Sequence, residues 1–82
     1  MNRYSPDMFF IVTYRRSRGE LMGFELYESS SEQLDALHVA ESVNTDPDVE
    51  IVAMWSTSIE TLKSTHGRYF VSAPADLQPV RR

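Results

Sequence analysis

The stretch "MFFIVTY", Met8–Tyr14, constrains the fold more than any other part of this chain. It is rich in aromatic and β-branched residues and apolar on both sides at its centre, the pattern of a strand enclosed within a sheet rather than of an amphipathic helix. Such a strand needs neighbours on its edges and cover on its faces. Met22, Phe24 and Leu26 alternate with Gly23, Glu25 and Tyr27, the period of a half-buried strand. The polar turn Arg15–Glu20 between the two runs predicts a β-hairpin.

After Tyr27 the pattern changes at "ESSSEQLDALHVAESVN". Ser29 or Ser30 can cap a helix, and Glu32 or Gln33 three positions later can close a capping box. At about 100° per residue, Ala36, Leu37, Val39, Ala40 and Val43 gather on one side, which is expected to face the sheet. Asp35, His38, Glu41 and Ser42 share the other. Asn44 is expected to end this helix in the left-handed conformation, and Pro47 prevents its continuation.

"VEIVAMW", Val49–Trp55, reads as a third strand, with Val49, Ile51, Ala53 and Trp55 on one face and Val52 and Met54 on the other. Beyond it, Thr57 and Glu60 form a second capping box for a short helix carrying Ile59 and Leu62 and ended by Gly67, followed by a strand at "RYFVS". A hairpin turning at His66–Gly67 is the alternative. The expected fold is α+β: a small, mostly antiparallel sheet of three or four strands with one main helix on one face, a ββαβ core followed by a C-terminal helix or hairpin. Residues 1–73 are expected to form a single domain, with 74–82 as a flexible tail.

Charge is distributed unevenly along the chain. The ten acids between Gly19 and Leu62 (Glu20, Glu25, Glu28, Glu32, Asp35, Glu41, Asp46, Asp48, Glu50 and Glu60) are interrupted by no lysine or arginine, and the net charge is −4. The eight basic residues, Arg3, Arg15, Arg16, Arg18, Lys63, Arg68, Arg81 and Arg82, lie outside that span. Two readings compete: plain solvation, or an acidic surface that meets a basic protein partner. The partner-binding candidates are Glu25, Glu28, Glu32, Asp35, Glu41, Asp46, Asp48, Glu50 and Tyr27. Trp55, Tyr14 and Phe24 join Tyr27 as aromatic anchors wherever their rings are exposed, although core packing is the ordinary role of Trp55 and Phe24.

An alternative site is the hairpin tip, where Tyr14, Arg15, Arg16 and Arg18 offer a nucleic-acid or small-ligand contact. Phosphate binding needs local positive charge, and the acidic balance of the chain disfavours it. Charge pairing between the basic tip of one copy and the acidic middle of another is a further possibility, so monomer and homodimer are both open.

Chemistry leaves little trace. The chain has no cysteine, and it lacks the G-x-S-x-G elbow, the phosphate-binding glycine loop and the H-E-x-x-H zinc motif. Asp35, His38 and Glu41 follow a helical spacing of three, but on a polar face this is ordinary solvated polarity. Asp46, Asp48 and Glu50 begin like a calcium loop without its turn glycine and distal glutamate. No enzyme, cofactor or metal is therefore expected. The longest apolar run, Met8–Val12, is too short to span a membrane, and a cytoplasmic setting is the simplest expectation. In size, acidity and lack of chemistry the chain is similar in type to small phage and mobile-element inhibitors or regulators, which implies a non-enzymatic protein-interaction module.

Overall fold

A computed structural model describes residues 7–82. The elements are β1 (Met8–Arg15), β2 (Glu20–Tyr27), α1 (Ser30–Val43), β3 (Val49–Ser56), α2 (Ile59–Thr65) and β4 (Val80–Arg81), with short 3-10 turns at Arg16–Arg18 and Gly67–Tyr69. They form an α+β fold around a four-stranded sheet of order β3-β1-β2-β4. β1 is antiparallel to both of its neighbours, and β4 lies parallel to β2. The doubly apolar β1 thus occupies an interior position, as its composition requires.

The two sheet faces are covered differently. On one, Phe10, Val12, Tyr14, Phe24, Leu26 and Met54 pack against Leu62 of α2 and Tyr69 of the following turn. Phe10, Val12 and Leu62 are completely enclosed, and each such side chain contributes about 1.5–3 kcal/mol through burial. Phe24 stacks on Phe10 at 5.6 Å between ring centroids and meets Phe70 edge-on at 5.1 Å. On the other face lies α1, over Ile11.

α1 begins as the sequence predicts: Ser29 caps it, its hydroxyl accepting from the Glu32 amide at 3.2 Å. Its rotation about its own axis departs from expectation. Val39 and Val43 are 63% and 71% exposed, while Gln33 is 3% exposed. The helix sits over the sheet on Gln33 and the half-buried Ala36, Leu37 and Ala40. Gln33 tolerates this position because its Nε2 donates to Phe10 O at 2.8 Å and to Met54 O at 2.9 Å. A burial pattern read from apolar residues alone passes over such an amide.

Other differences are local. Asn44 ends α1 with φ −79°, an extended conformation, because its side chain has work in the turn: Oδ1 accepts from the Asp46 amide and Nδ2 donates to Val49 O. The expected left-handed residue is instead Gly19, at φ 58°, closing the hairpin tip. A bulge where Thr13 opposes Gly23 and Tyr14 opposes Leu21 leaves Met22 without a partner and exposed. Ser58 rather than Thr57 caps α2, its hydroxyl accepting from the Thr61 amide.

"RYFVS" forms no strand. Tyr69 and Phe70 turn into the core instead, and the fourth strand comes from residues 74–82, the segment expected as a flexible tail. There Arg82 N donates to Leu26 O at 2.9 Å, Lys63 Nζ donates to the carbonyls of Ala75 and Leu77, and Leu77 packs on the core. A two-residue strand carries no periodicity that a sequence pattern can reveal. Among the described residues, no helix is long and apolar enough to cross a membrane.

Candidate functional site

The β1–β3 ladder continues past the end of β1, with Arg16 N donating to Asp48 O at 2.9 Å, and this carries the arginine tip directly onto the Asn44–Glu50 segment. Arg15 Nη1 lies 2.9 Å from Asp46 Oδ2 and 3.4 Å from Asp48 Oδ2. The amide and hydroxyl of Ser17 both donate to Asp48, at 3.0 and 2.6 Å. Arg16 approaches Glu50 at 3.5 Å and donates to Pro47 O. Glu50 also accepts from Arg68 Nη2 at 3.2 Å and from the Tyr69 hydroxyl at 2.8 Å.

This network holds three carboxylates below their ordinary pKa. For Asp46 the main cause is the hydrogen bond from the Asp48 amide, followed by Arg15. For Asp48 it is the Ser17 hydroxyl, and for Glu50 the Tyr69 hydroxyl, each opposed in part by burial. Arg68 completes the assembly by stacking 4.2 Å above the Tyr69 ring, which in turn meets Tyr14 edge-on at 5.0 Å. The charge pairing between tip and acidic middle, considered above as a contact between two molecules, is made within one chain.

Of the alternative tip site, Tyr14 is in the core and its ring is not presented to a ligand. Arg15 and Arg16 are engaged by carboxylates, and Arg18 is exposed. The tip is therefore a structural clasp with its positive charge largely balanced.

The nine partner-binding candidates separate into groups. Asp46, Asp48 and Glu50 belong to the clasp. Glu25 pairs with Arg82 at 2.8 Å and accepts from the Tyr27 hydroxyl at 3.1 Å, and burial followed by the nearby Glu25 charge raises the Tyr27 phenol above its ordinary pKa. Glu28, Glu32, Asp35 and Glu41 are exposed and make no ion pair among the described residues. Helical spacing sorts these further: Glu32, Asp35, Val39 and Val43 fall on one flank of α1, while Ser30, Leu34 and Glu41 fall on the opposite flank, beside β3.

Two apolar features lie outside the charge pattern. Trp55, an anchor candidate if exposed although core packing is its ordinary role, is 64% exposed and forms a shallow apolar hollow with Phe9, Gln33 and Leu34. Val39 and Val43 face solvent beside carboxylates that make no ion pair among the described residues. The available signal for the first was position: a tryptophan near the end of a strand, on the face that a helix with few large side chains must cover. Exposed His38 lies on α1 and half-buried His66 follows the end of α2, and among the described residues no group of three or more acids or histidines is arranged to hold a metal ion. No family model, curated protein or solved structure matches this chain.

Proposed function

We propose that this protein is a non-enzymatic interaction module, of the inhibitor or regulator type, that docks the outer flank of α1 on a basic and partly apolar surface of another protein. The observation that carries the reading is the Glu32–Asp35–Val39–Val43 stripe, two carboxylates that make no ion pair among the described residues beside two exposed valines. Glu28 adjoins its N-terminal end. The carboxylates supply encounter rate and selectivity, and the valines supply apolar contact that persists at high salt. The four acids engaged elsewhere, Glu25, Asp46, Asp48 and Glu50, act in folding rather than in recognition.

The test is capture from a lysate of the source organism on the tagged protein, at low and high salt, with identification of bound proteins by mass spectrometry. A parallel bait carries Glu28→Lys, Glu32→Lys and Asp35→Lys, and another carries Val39→Ser and Val43→Ser. The proposal expects a basic protein that weakens with salt and is lost from both variant baits. Capture indifferent to both sets of substitutions would refute it.

A further inference from the structure

The β3 edge of the sheet carries information that the acidic stripe does not. Among the described residues β3 pairs with β1 on one side only, and its other side is a sheet edge. Hydrogen-bonded and non-hydrogen-bonded residue pairs alternate along an antiparallel ladder, so one fixed point assigns every residue. Gln33 Nε2 supplies that point by reaching both Phe10 O and Met54 O. Two carbonyls that share one donor face each other across the ladder, which makes Phe10–Met54 a hydrogen-bonded pair. Val12–Val52 and Tyr14–Glu50 follow in register, and the Arg16 N to Asp48 O bond continues the same series.

The odd-numbered residues of β3 therefore turn their backbone groups outward. Val49 confirms the assignment, since its N–H donates to Asp46 O and its C=O accepts from Asn44 Nδ2. That leaves Ile51, Ala53 and Trp55, whose N–H and C=O groups have no hydrogen-bond partner among the described residues. The open stretch Ile51–Trp55 carries no proline, lysine or bulge, and its charged neighbour Glu50 is held by Arg16 and Arg68.

We propose that β3 pairs with β3 of a second copy of this chain, antiparallel across a two-fold axis at Ala53. Within β3 the open groups are symmetric about Ala53, and a two-fold axis there pairs all of them. Ala53 faces Ala53 of the copy, and Ile51 faces Trp55 of the copy in both directions. A shift by two residues would match Trp55 to Val49, whose groups are already taken. The small alanine sits at the axis, and each exposed indole gains an isoleucine opposite it, a favourable aromatic to β-branched pair. The hollow of Phe9, Leu34 and Trp55 opens at this edge, where Ile51 of the copy arrives.

Charge favours the same occupant. At the start of β3, Arg15, Arg16 and Arg68 balance Asp46, Asp48 and Glu50, so the proposed register brings Glu50 opposite Ser56 of the copy with no like charges facing. Exposed Arg68 and Glu60 lie towards opposite ends of β3 on one face of the sheet. The two-fold operation therefore brings each towards its opposite in the copy. The pairing leaves the Glu32–Asp35 flank outside the interface, so its outcome is independent of the capture experiment.

The test is sedimentation of the full chain over a wide concentration range, together with amide hydrogen exchange resolved by residue. A particle of twice 9.4 kDa is expected to form as concentration rises. As it forms, exchange at Ile51, Ala53 and Trp55 slows at least tenfold, while the already bonded Val52 and Met54 amides change little. Trp55→Lys, at an exposed position, is expected to retain the circular dichroism of the parent and to abolish the dimer. Four results would overturn the proposal: a monomer up to millimolar concentration, a dimer whose three edge amides still exchange freely, protection of those amides in the monomer at every dilution, or their protection only by a different protein or peptide.

Discussion

Tyr69 donates its hydroxyl to Glu50 at 2.8 Å, tying the turn after α2 to the edge strand β3. That bond, ahead of Arg68, keeps the Glu50 carboxylate below its ordinary pKa, and Asp46 and Asp48 are lowered in the same clasp. A carboxylate whose folded pKa lies below its unfolded value, about 3.9 for Asp and 4.3 for Glu, stabilises the fold above that value. The contribution is lost as pH falls through the lowered folded value. Urea unfolding should show stability flat from neutral pH to about pH 5 and falling below it. Glu50→Gln should make the acid limb shallower, because one of the three linked groups no longer titrates.

Gln33 gives a sharper test of a buried polar contact. Gln33→Leu removes two hydrogen bonds but leaves Phe10 O and Met54 O in their ladder, so the expected cost is about 1–2 kcal/mol in chemical denaturation. Gln33→Glu points a carboxylate at two carbonyl oxygens in a buried site. It should cost more at pH 7, roughly 3 kcal/mol or more, and part of the loss should return at pH 5 as the side chain gains a proton to donate.

The three principal strands, the hairpin and α1 were legible because each rests on a pattern of several residues or on a local cap. What escaped depends on partners distant in sequence. The rotation of α1 is set by an amide that finds carbonyls 23 and 21 positions away. The uninterrupted acidity of residues 20–60 suggested a surface without counter-charge, yet the β1–β3 register brings Arg15 to Asp46 from 31 positions away. Charge segregated along a chain is not charge segregated in space. The α1 acids that make no ion pair among the described residues can be recognised only after the paired acids have been subtracted.

Two glycines should respond in opposite directions to alanine. Gly19 has φ 58°, a conformation that costs an L side chain about 1 kcal/mol or more, so Gly19→Ala should lower the unfolding midpoint. Gly67 has no positive φ, and nothing lies within 4 Å of an added Cβ. Gly67→Ala restricts the unfolded chain without a clash and should stabilise by about 0.4–1 kcal/mol. Thermal melts of the two variants check both signs.

Three arginines of the hairpin tip look equivalent in the sequence and are not equivalent in the fold. Arg15 meets two carboxylates, Arg16 meets Glu50, and Arg18 is exposed at the end of the 3-10 turn. Arg15→Glu brings a third negative charge to Asp46 and Asp48, and like charges at that range raise the pKa of the group and oppose folding. The variant should unfold at a clearly lower urea concentration than the parent, and added salt should narrow the difference by screening the repulsion. Arg18→Glu makes the same change in net charge without entering the clasp, so its midpoint should match the parent. Equal destabilisation by the two substitutions would mean that net charge, rather than the Arg15 pairing, governs stability at the tip.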